Sequence, residues 1–194
     1  MQATDTNEKL LDAALHLMLS RGYSATTVDE ICAEAGVSKG SFYHFFKTKE
    51  EVGLATLERF YQHGTKNLMG GQFASLSDPV ERAFGFVNHV AEKSPYLWAE
   101  GCLLATFASE LAESHPAVQT EVSRMFRELA TGMSRLFEPI AEKASAGSPS
   151  ALELAEMFLD VLEGSIVVAR AHREPKRIAQ TVLRFRGYME QLIA

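Results

Sequence analysis

The chain has 194 residues, 46% hydrophobic and 23% charged, which fits one large domain or a small module on a larger body. It excludes intrinsic disorder, collagen-like repeats and a disulfide scaffold. The formal net charge is −6, from 19 Lys+Arg against 25 Asp+Glu, so any affinity for nucleic acid must come from local charge.

The hydrophobic pattern is helical along the whole chain, without a convincing strand. A first helix is predicted to start at Asp5 or Thr6, with Asp5 and Glu8 forming a capping box. It buries Leu10, Leu11, Ala14, Leu15 and Met18 and ends at Gly22. Thr27-Val28-Asp29-Glu30 opens a short second helix that Gly36 stops, and Ser38 caps a third from Lys39 to about Phe45. A fourth opens near Lys47 to Glu51 and runs to the Gly70-Gly71 pair. Ser77-Asp78-Pro79 starts a fifth, because proline at the first helical position loses no needed hydrogen bond. Pro95, Pro116, Pro149 and Pro175 punctuate the rest. The longest segment, about 116–143, is predicted to bury Val118, Val122, Met125, Leu129, Met133, Leu136 and Ile140, with Pro139 bending its last turn. Residues 144–149 are a loop. The expected class is all-α with about nine helices: an N-terminal three-helix module over 1–50 and a helical body over 51–194.

Three short helices with Gly36 at the tight turn fit a helix-turn-helix. In Ala35-Gly36-Val37-Ser38, the glycine supplies positive φ, Val37 plugs the gap between helices and Ser38 caps the next N-terminus. That N-terminus would point into a major groove. From Ala35 to Lys49 there are three lysines and no acid. The acids of the module lie on the first helix and the start of the second, which places them away from the expected DNA face. Lys39, Ser41, Tyr43, His44 and Lys49 supply the donors and the flat ring used on phosphates and base edges. A helical subdomain with a solvated basic loop would show the same spacing and charge.

Residues from about Leu10 to Leu54 resemble the DNA-binding domain of the TetR/AcrR family of bacterial regulators. The resemblance is carried by Ala13-Ala14-Leu15, Arg21-Gly22-Tyr23, Thr26-Thr27-Val28, Ile31, the run from Ala35 to Phe46, and Lys49-Glu50-Glu51. It implies that Thr27, Lys39, Tyr43 and Lys49 hold phosphates while Ser38, Gly40, Ser41 and His44 face the groove. Gly40 would permit close approach to DNA, and Phe42, Phe45 and Phe46 would pack the third helix onto the first. Phe45 departs from the His or Tyr of many members, so a phosphate contact from that position is not carried over. The resemblance further implies a homodimeric transcriptional regulator, a repressor, bound to a palindromic DNA operator.

The last helix spaces Ile178, Val182, Phe185, Met189 and Leu192 in a 4-3-4-3 seam suited to helix pairing. The helix before it, about 150–171, is apolar around most of its girth. Leu159, Leu162, Ile166, Ile178, Val182, Phe185 and Met189 are therefore the expected dimer interface, in a four-helix bundle between two subunits; a monomer whose last two helices both pack inward is the alternative. A small-molecule effector pocket is expected among Phe60, Tyr61, Phe84, His89, Tyr96, Trp98, Cys102, Thr106, Phe107, Glu110, Met125 and Met133, although aromatic walls describe an ordinary helical core equally well.

Gly101-Cys102-Leu103, with Gly40-Ser41-Phe42-Tyr43-His44, resembles a subgroup that includes sensors of reactive electrophiles. At the first turn of a helix, Cys102 would gain thiolate character; a small buried apolar cysteine is the alternative. No Ser/His/Asp set, catalytic carboxylate pair, phosphate loop or metal-ligand spacing stands out, so neither an enzyme nor a bound cofactor or metal is expected. Two cysteines without a CxxC pair match a reducing compartment. With neither a signal-peptide pattern nor an apolar run of about 20 residues, a cytoplasmic protein that does not meet the membrane is expected. A helical ligand-binding or interaction protein that never touches DNA is the alternative function.

Overall fold

The computed structural model describes residues 2–194, with side chains from residue 5 onward. Among these residues the ordered elements are nine α-helices and one 3-10 turn, with no strand. The helices are α1 (Gln2–Arg21), α2 (Val28–Ala35), α3 (Lys39–Phe45), α4 (Lys49–Met69), α5 (Pro79–Leu97), α6 (Leu103–Leu111), α7 (Pro116–Lys143), α8 (Ala151–His172) and α9 (Lys176–Leu192); the 3-10 turn covers Gln72–Ser75.

Local chemistry accounts for most ends. Thr27 and Glu30 form a reciprocal capping box at α2, and Gly36 closes that helix at φ 65°. The Ser38 hydroxyl accepts the Ser41 N–H at α3. Asp78 accepts the Val80 and Glu81 N–H groups ahead of Pro79, and Ser150 pairs with Glu153 at α8. Two ends differ from expectation. α1 begins at Gln2, and Asp5 lies inside its first turn, where its carboxylate accepts from Lys9 Nζ at 2.7 Å. Pro95 does not punctuate: α5 continues through it to Leu97. The carbonyl that Pro95 leaves without an N–H donor, Ala91 O, accepts the Ser94 hydroxyl at 2.9 Å instead.

Packing divides the chain into two compact units. The first comprises residues up to His63 with Cys102–Ser123; the second comprises Gly64–Gly101 with Arg124–Ala194. This is not the division expected after residue 50, because α6 packs against α1 and joins the N-terminal helices. In the first unit Leu10, Ala14, Met18, Ile31, Phe42, Val52 and Leu57 are wholly or almost wholly buried. Leu15 of the expected stripe is half-buried; Leu17 takes its place in the core. Phe42 and Phe46 are buried, whereas Phe45 is half-buried with its ring edge-on to His44.

The core of the second unit is a cluster of phenylalanines contributed by every major helix. Phe86 of α5, Phe137 of α7, Phe158 of α8 and Phe185 of α9 lie with ring centroids 5.2–6.1 Å apart wherever they touch. Complete burial of such a ring contributes roughly 1.5–3 kcal/mol. Of the expected α7 stripe, Val118, Val122, Met125, Met133 and Ile140 are buried, while Leu129 and Leu136 are half-buried and their neighbours Ala130 and Phe137 enter the core instead.

The seam on α9 faces inward. α9 packs on α5 and α8 of its own chain, and Leu159, Leu162, Ile166, Ile178, Val182, Phe185 and Met189 are all between 0 and 8% exposed. Side chains already out of water have no surface left for a partner, so these residues are core and not dimer interface. The same helices do carry apolar side chains outward: Leu152, Met157, Val167 and Val168 on α8 and Leu183 on α9. The two-faced character read for residues 150–171 is therefore present, with its faces exchanged.

Candidate nucleic-acid interface and sensor residues

The turn between α2 and α3 is held from both sides. The Val37 N–H donates to Cys32 O at 3.0 Å and the Gly36 N–H to Ala33 O at 3.2 Å, so the chain leaves α2 in a fixed direction. Phe42 anchors α3 from beneath with no exposed surface. With that face buried, Ser38, Lys39, Gly40, Tyr43 and His44 are exposed and Ser41 is half-buried. Ser38 and the seven-residue helix it caps thus present two hydroxyls, an amine, a phenol and an imidazole.

Several of these groups already have partners. The Thr27 hydroxyl donates to Glu30 Oε2 at 2.7 Å within the capping box. Lys39 Nζ lies 2.7 Å from Asp29 Oδ1, and that contact raises the lysine pKa through its hydrogen bond and charge. The expectation that the acids stand away from this face is corrected here: the first turn of α2 puts Asp29 directly against the first residue of α3. Both side chains are more than half exposed, so the pair is a weak one that a phosphate can displace.

Lys49 is placed differently from the other lysines. Its Nζ donates to Tyr23 O at 3.2 Å and Thr26 O at 3.0 Å and lies 4.2 Å from the centre of the Tyr23 ring. Burial pushes its pKa down, against the opposing charge of Glu110. It ties the α1–α2 connection to the start of α4, and two of its three N–H donors are used within the chain. Its expected role as a phosphate contact therefore competes with an internal one.

Residues that spacing did not point to complete this support. Glu110 at the end of α6 accepts the Ser24 N–H at 2.9 Å, and a Cβ at Gly22, where φ is 88°, would overlap its carboxylate. Phe107 of α6 and His115 each stand edge-on to the buried Tyr23 ring at 5.4 Å. Arg59 of α4 is largely buried and spans Glu8 and Asp12 of α1 at 2.6 and 2.5 Å. These pairs lie 47 to 92 positions apart in sequence, and no local pattern announces them.

The twelve residues expected to line an effector pocket fall half in each unit. In the first, Cys102 is buried as the N-cap residue of α6, and its carbonyl accepts the Thr106 hydroxyl at 3.0 Å. Phe60 and Tyr61 are half-buried on α4, and Phe107 and Glu110 face the α1–α2 connection as described. In the second, Met125 and Met133 belong to the core, Phe84 lies beneath the Arg186 guanidinium at 5.0 Å, and His89 meets Asn67 O at 2.8 Å. Tyr96 is 82% exposed and walls nothing. Trp98 lines a cavity of about 450 Å³.

Comparison with known proteins gives two family matches. The family described as bacterial regulatory proteins, tetR family, matches residues 10–56. The C-terminal domain described as transcriptional regulator LmrA/YxaF-like matches residues 79–182. The HTH-type transcriptional repressor DhaR of Mycobacterium sp. (strain GP1) is 27% identical over 181 residues, covering 93% of this chain and 90% of its own. The HTH-type transcriptional repressor NemR of Escherichia coli (strain K12) is 43% identical over 72 residues, 35% of this chain and 36% of its own. Among solved structures, regulatory protein TetR from Rhodobacter sphaeroides aligns with a TM-score of 0.79 at 27% identity, covering 92% of this chain and 96% of that one. The reduced form of E. coli NemR aligns with a TM-score of 0.76 at 25% identity over 98% of both chains.

Proposed function

Because the chain belongs to the TetR family of helix-turn-helix transcriptional repressors, we propose that it acts in the cytoplasm as a homodimer on a palindromic operator and that a small-molecule or electrophile effector releases it. Each subunit lays α3 in a major groove, and the dimer spaces the two helices by about 34 Å, one turn of DNA. Ser38, Gly40, Ser41 and His44 face base edges; Thr27, Lys39 and Tyr43 take phosphates, with Lys49 contributing only the donor its internal bonds leave over. On binding, phosphate replaces Asp29 as the partner of Lys39. The observation that carries this reading is Gly40: it lies in the first turn of an exposed helix, where an added Cβ would meet only Ser38 Oγ at 3.7 Å. The chain itself has no use for a missing side chain there, whereas a DNA backbone approaching α3 does.

Effector response is assigned to α6. Cys102 begins that helix and Glu110 near its end holds the Ser24 N–H of the α1–α2 connection. A change at Cys102, or a ligand shifting α6, thereby reaches the DNA-binding module through one short rigid element. The effector need only favour the form whose recognition helices no longer match successive grooves.

Fluorescence anisotropy on the DNA upstream of the gene tests the reading. Affinity should fall steeply as salt rises, because phosphate contacts release counterions. Lys39→Ala should weaken all sequences alike and reduce the log–log salt slope by about 1, whereas His44→Ala should relax base preference at one position by about 1–3 kcal/mol. A reactive aldehyde should release the wild-type protein and leave the Cys102→Ser protein bound; equal release of both removes Cys102 from the mechanism. Indifference to every promoter fragment at low salt would leave the helical ligand-binding alternative.

A further inference from the structure

Where α8 ends and α9 begins, the second unit holds the cavity of about 450 Å³ that Trp98 lines, a volume within the range of small-molecule sites. Trp98, Ala169 and Ile178 make a buried apolar floor, and Pro175 and the side chains of Arg170 and Arg173 stand around it. We propose that this corner is a binding site for a small organic carboxylate with an apolar body, which goes beyond the DNA-binding reading. Guanidinium forks match a carboxylate in bidentate fashion, while the floor takes the rest of the molecule.

Arg173 is placed at some cost. Arg173 has φ 57° and ψ 37°, and among the described residues no other non-glycine residue has positive φ. Glycine is the residue a helix end in this conformation favours. The bonds that close α8 there, from the Arg173 N–H to Ala169 O and Arg170 O, involve the backbone alone, so glycine would make them equally well. The guanidinium is therefore surplus to the cap. Among the described residues it has no side-chain partner. Arg170 stands against the α5–α6 connection: a Cβ at Gly101, where φ is 111°, would lie 3.0 Å from Arg170 Nη1. The segment from Arg170 to Arg177 also carries Lys176 against a single acid, Glu174, in a chain whose net charge is −6. An organic anion approaching this chain meets a local excess of positive charge at this corner.

Trp98 is the only tryptophan, so its fluorescence reads the cavity floor without a label. Full-length protein free of DNA is titrated with hexanoate, with 1-hexanol and inorganic phosphate as controls, and calorimetry on the same solutions detects binding that leaves the emission unchanged. Hexanoate should saturate, and both controls should bind at least tenfold more weakly. Arg173→Gly should raise the hexanoate Kd tenfold or more while its melting temperature holds or rises, an outcome a merely structural arginine would not give. Equal binding of hexanol would make the corner a bare apolar pocket, and equal binding of phosphate a bare cationic patch. Either result, absence of hexanoate binding, or an unchanged Kd in Arg173→Gly overturns the proposal. Since no DNA is present, the outcome is independent of operator recognition.

Discussion

Gly40 and Lys49 resolve, from opposite directions, which side chains of the DNA-binding module serve the fold. Gly40 occupies helical backbone where alanine is better by roughly 0.5–1 kcal/mol, and the space its Cβ would fill is open apart from an ordinary contact with Ser38. Gly40→Ala should therefore stabilise the protein by up to about 1 kcal/mol, raising its melting temperature. It should also weaken operator binding by about tenfold, equivalent to about 1.4 kcal/mol. Calorimetric melts and anisotropy titrations on the same preparation check both; undiminished affinity would mean that α3 does not approach the duplex at this point. Gly36 is the contrasting glycine: its space is equally open, but φ 65° makes any side chain strained. Lys49 looks from sequence like one more cation in a run without acids. In three dimensions its ammonium serves two backbone carbonyls and an aromatic face, because the α1–α2 connection has carbonyls that no helix satisfies.

At the scale of elements, the termini are the most legible feature, since capping chemistry acts over three or four residues. The bounds of α2, α3 and α7 agree with those read from Thr27, Gly36, Ser38, Pro116 and the loop after Lys143. Faces are less legible. Most of the α7 stripe is buried as read, but Phe137 and not Leu136 enters the core, a choice made by the phenylalanines of α5, α8 and α9. Pro95 misleads because Ser94, beside it, satisfies the carbonyl that proline leaves unbonded. The same caps carry a pH dependence. The Glu30 and Glu153 carboxyls are held below their ordinary range chiefly by the Thr27 and Ser150 hydroxyls, and Asp78 is held down by the Glu81 and Val80 N–H groups. A lowered pKa in the folded state means stability that is present above the unfolded value, about 4.3 for glutamate, and is lost as pH falls through the folded one. Melting temperature should thus fall on acidification below about pH 4.3. In the double variant Glu30→Gln, Glu153→Gln the fall should be shallower, because glutamine keeps the hydrogen bonds without titrating. Melts followed by circular dichroism between about pH 3 and 7 check this; an equally steep fall in the variant would deny the caps any part in it.

For the whole molecule, the decisive question is which apolar surface remains once each chain has filled its own core. The 4-3-4-3 seam of α9 is a sound pairing pattern, yet the pattern alone does not say whether the partner helix belongs to the same chain. α5 and α8 answer it by covering Ile178, Val182, Phe185 and Met189. The surface left for the proposed dimer is the outward side of α8 and α9, where Val167 is 60% and Leu183 47% exposed. Gly164 and Gly187 lie on the same two helices, and an added Cβ at either would meet nothing. Leu183→Asp should accordingly halve the sedimenting mass while leaving the helical circular dichroism spectrum intact. It should also lower operator affinity by about 100-fold or more, because each half-site then binds without the effective concentration its partner provides. Val182→Asp, one residue away but with no exposed surface, should instead unfold the second unit, because an unpaired carboxylate would enter the phenylalanine core. If Leu183→Asp sediments at the mass of the parent, these helices do not join the subunits, and the spacing of the two recognition helices must be set elsewhere on the chain.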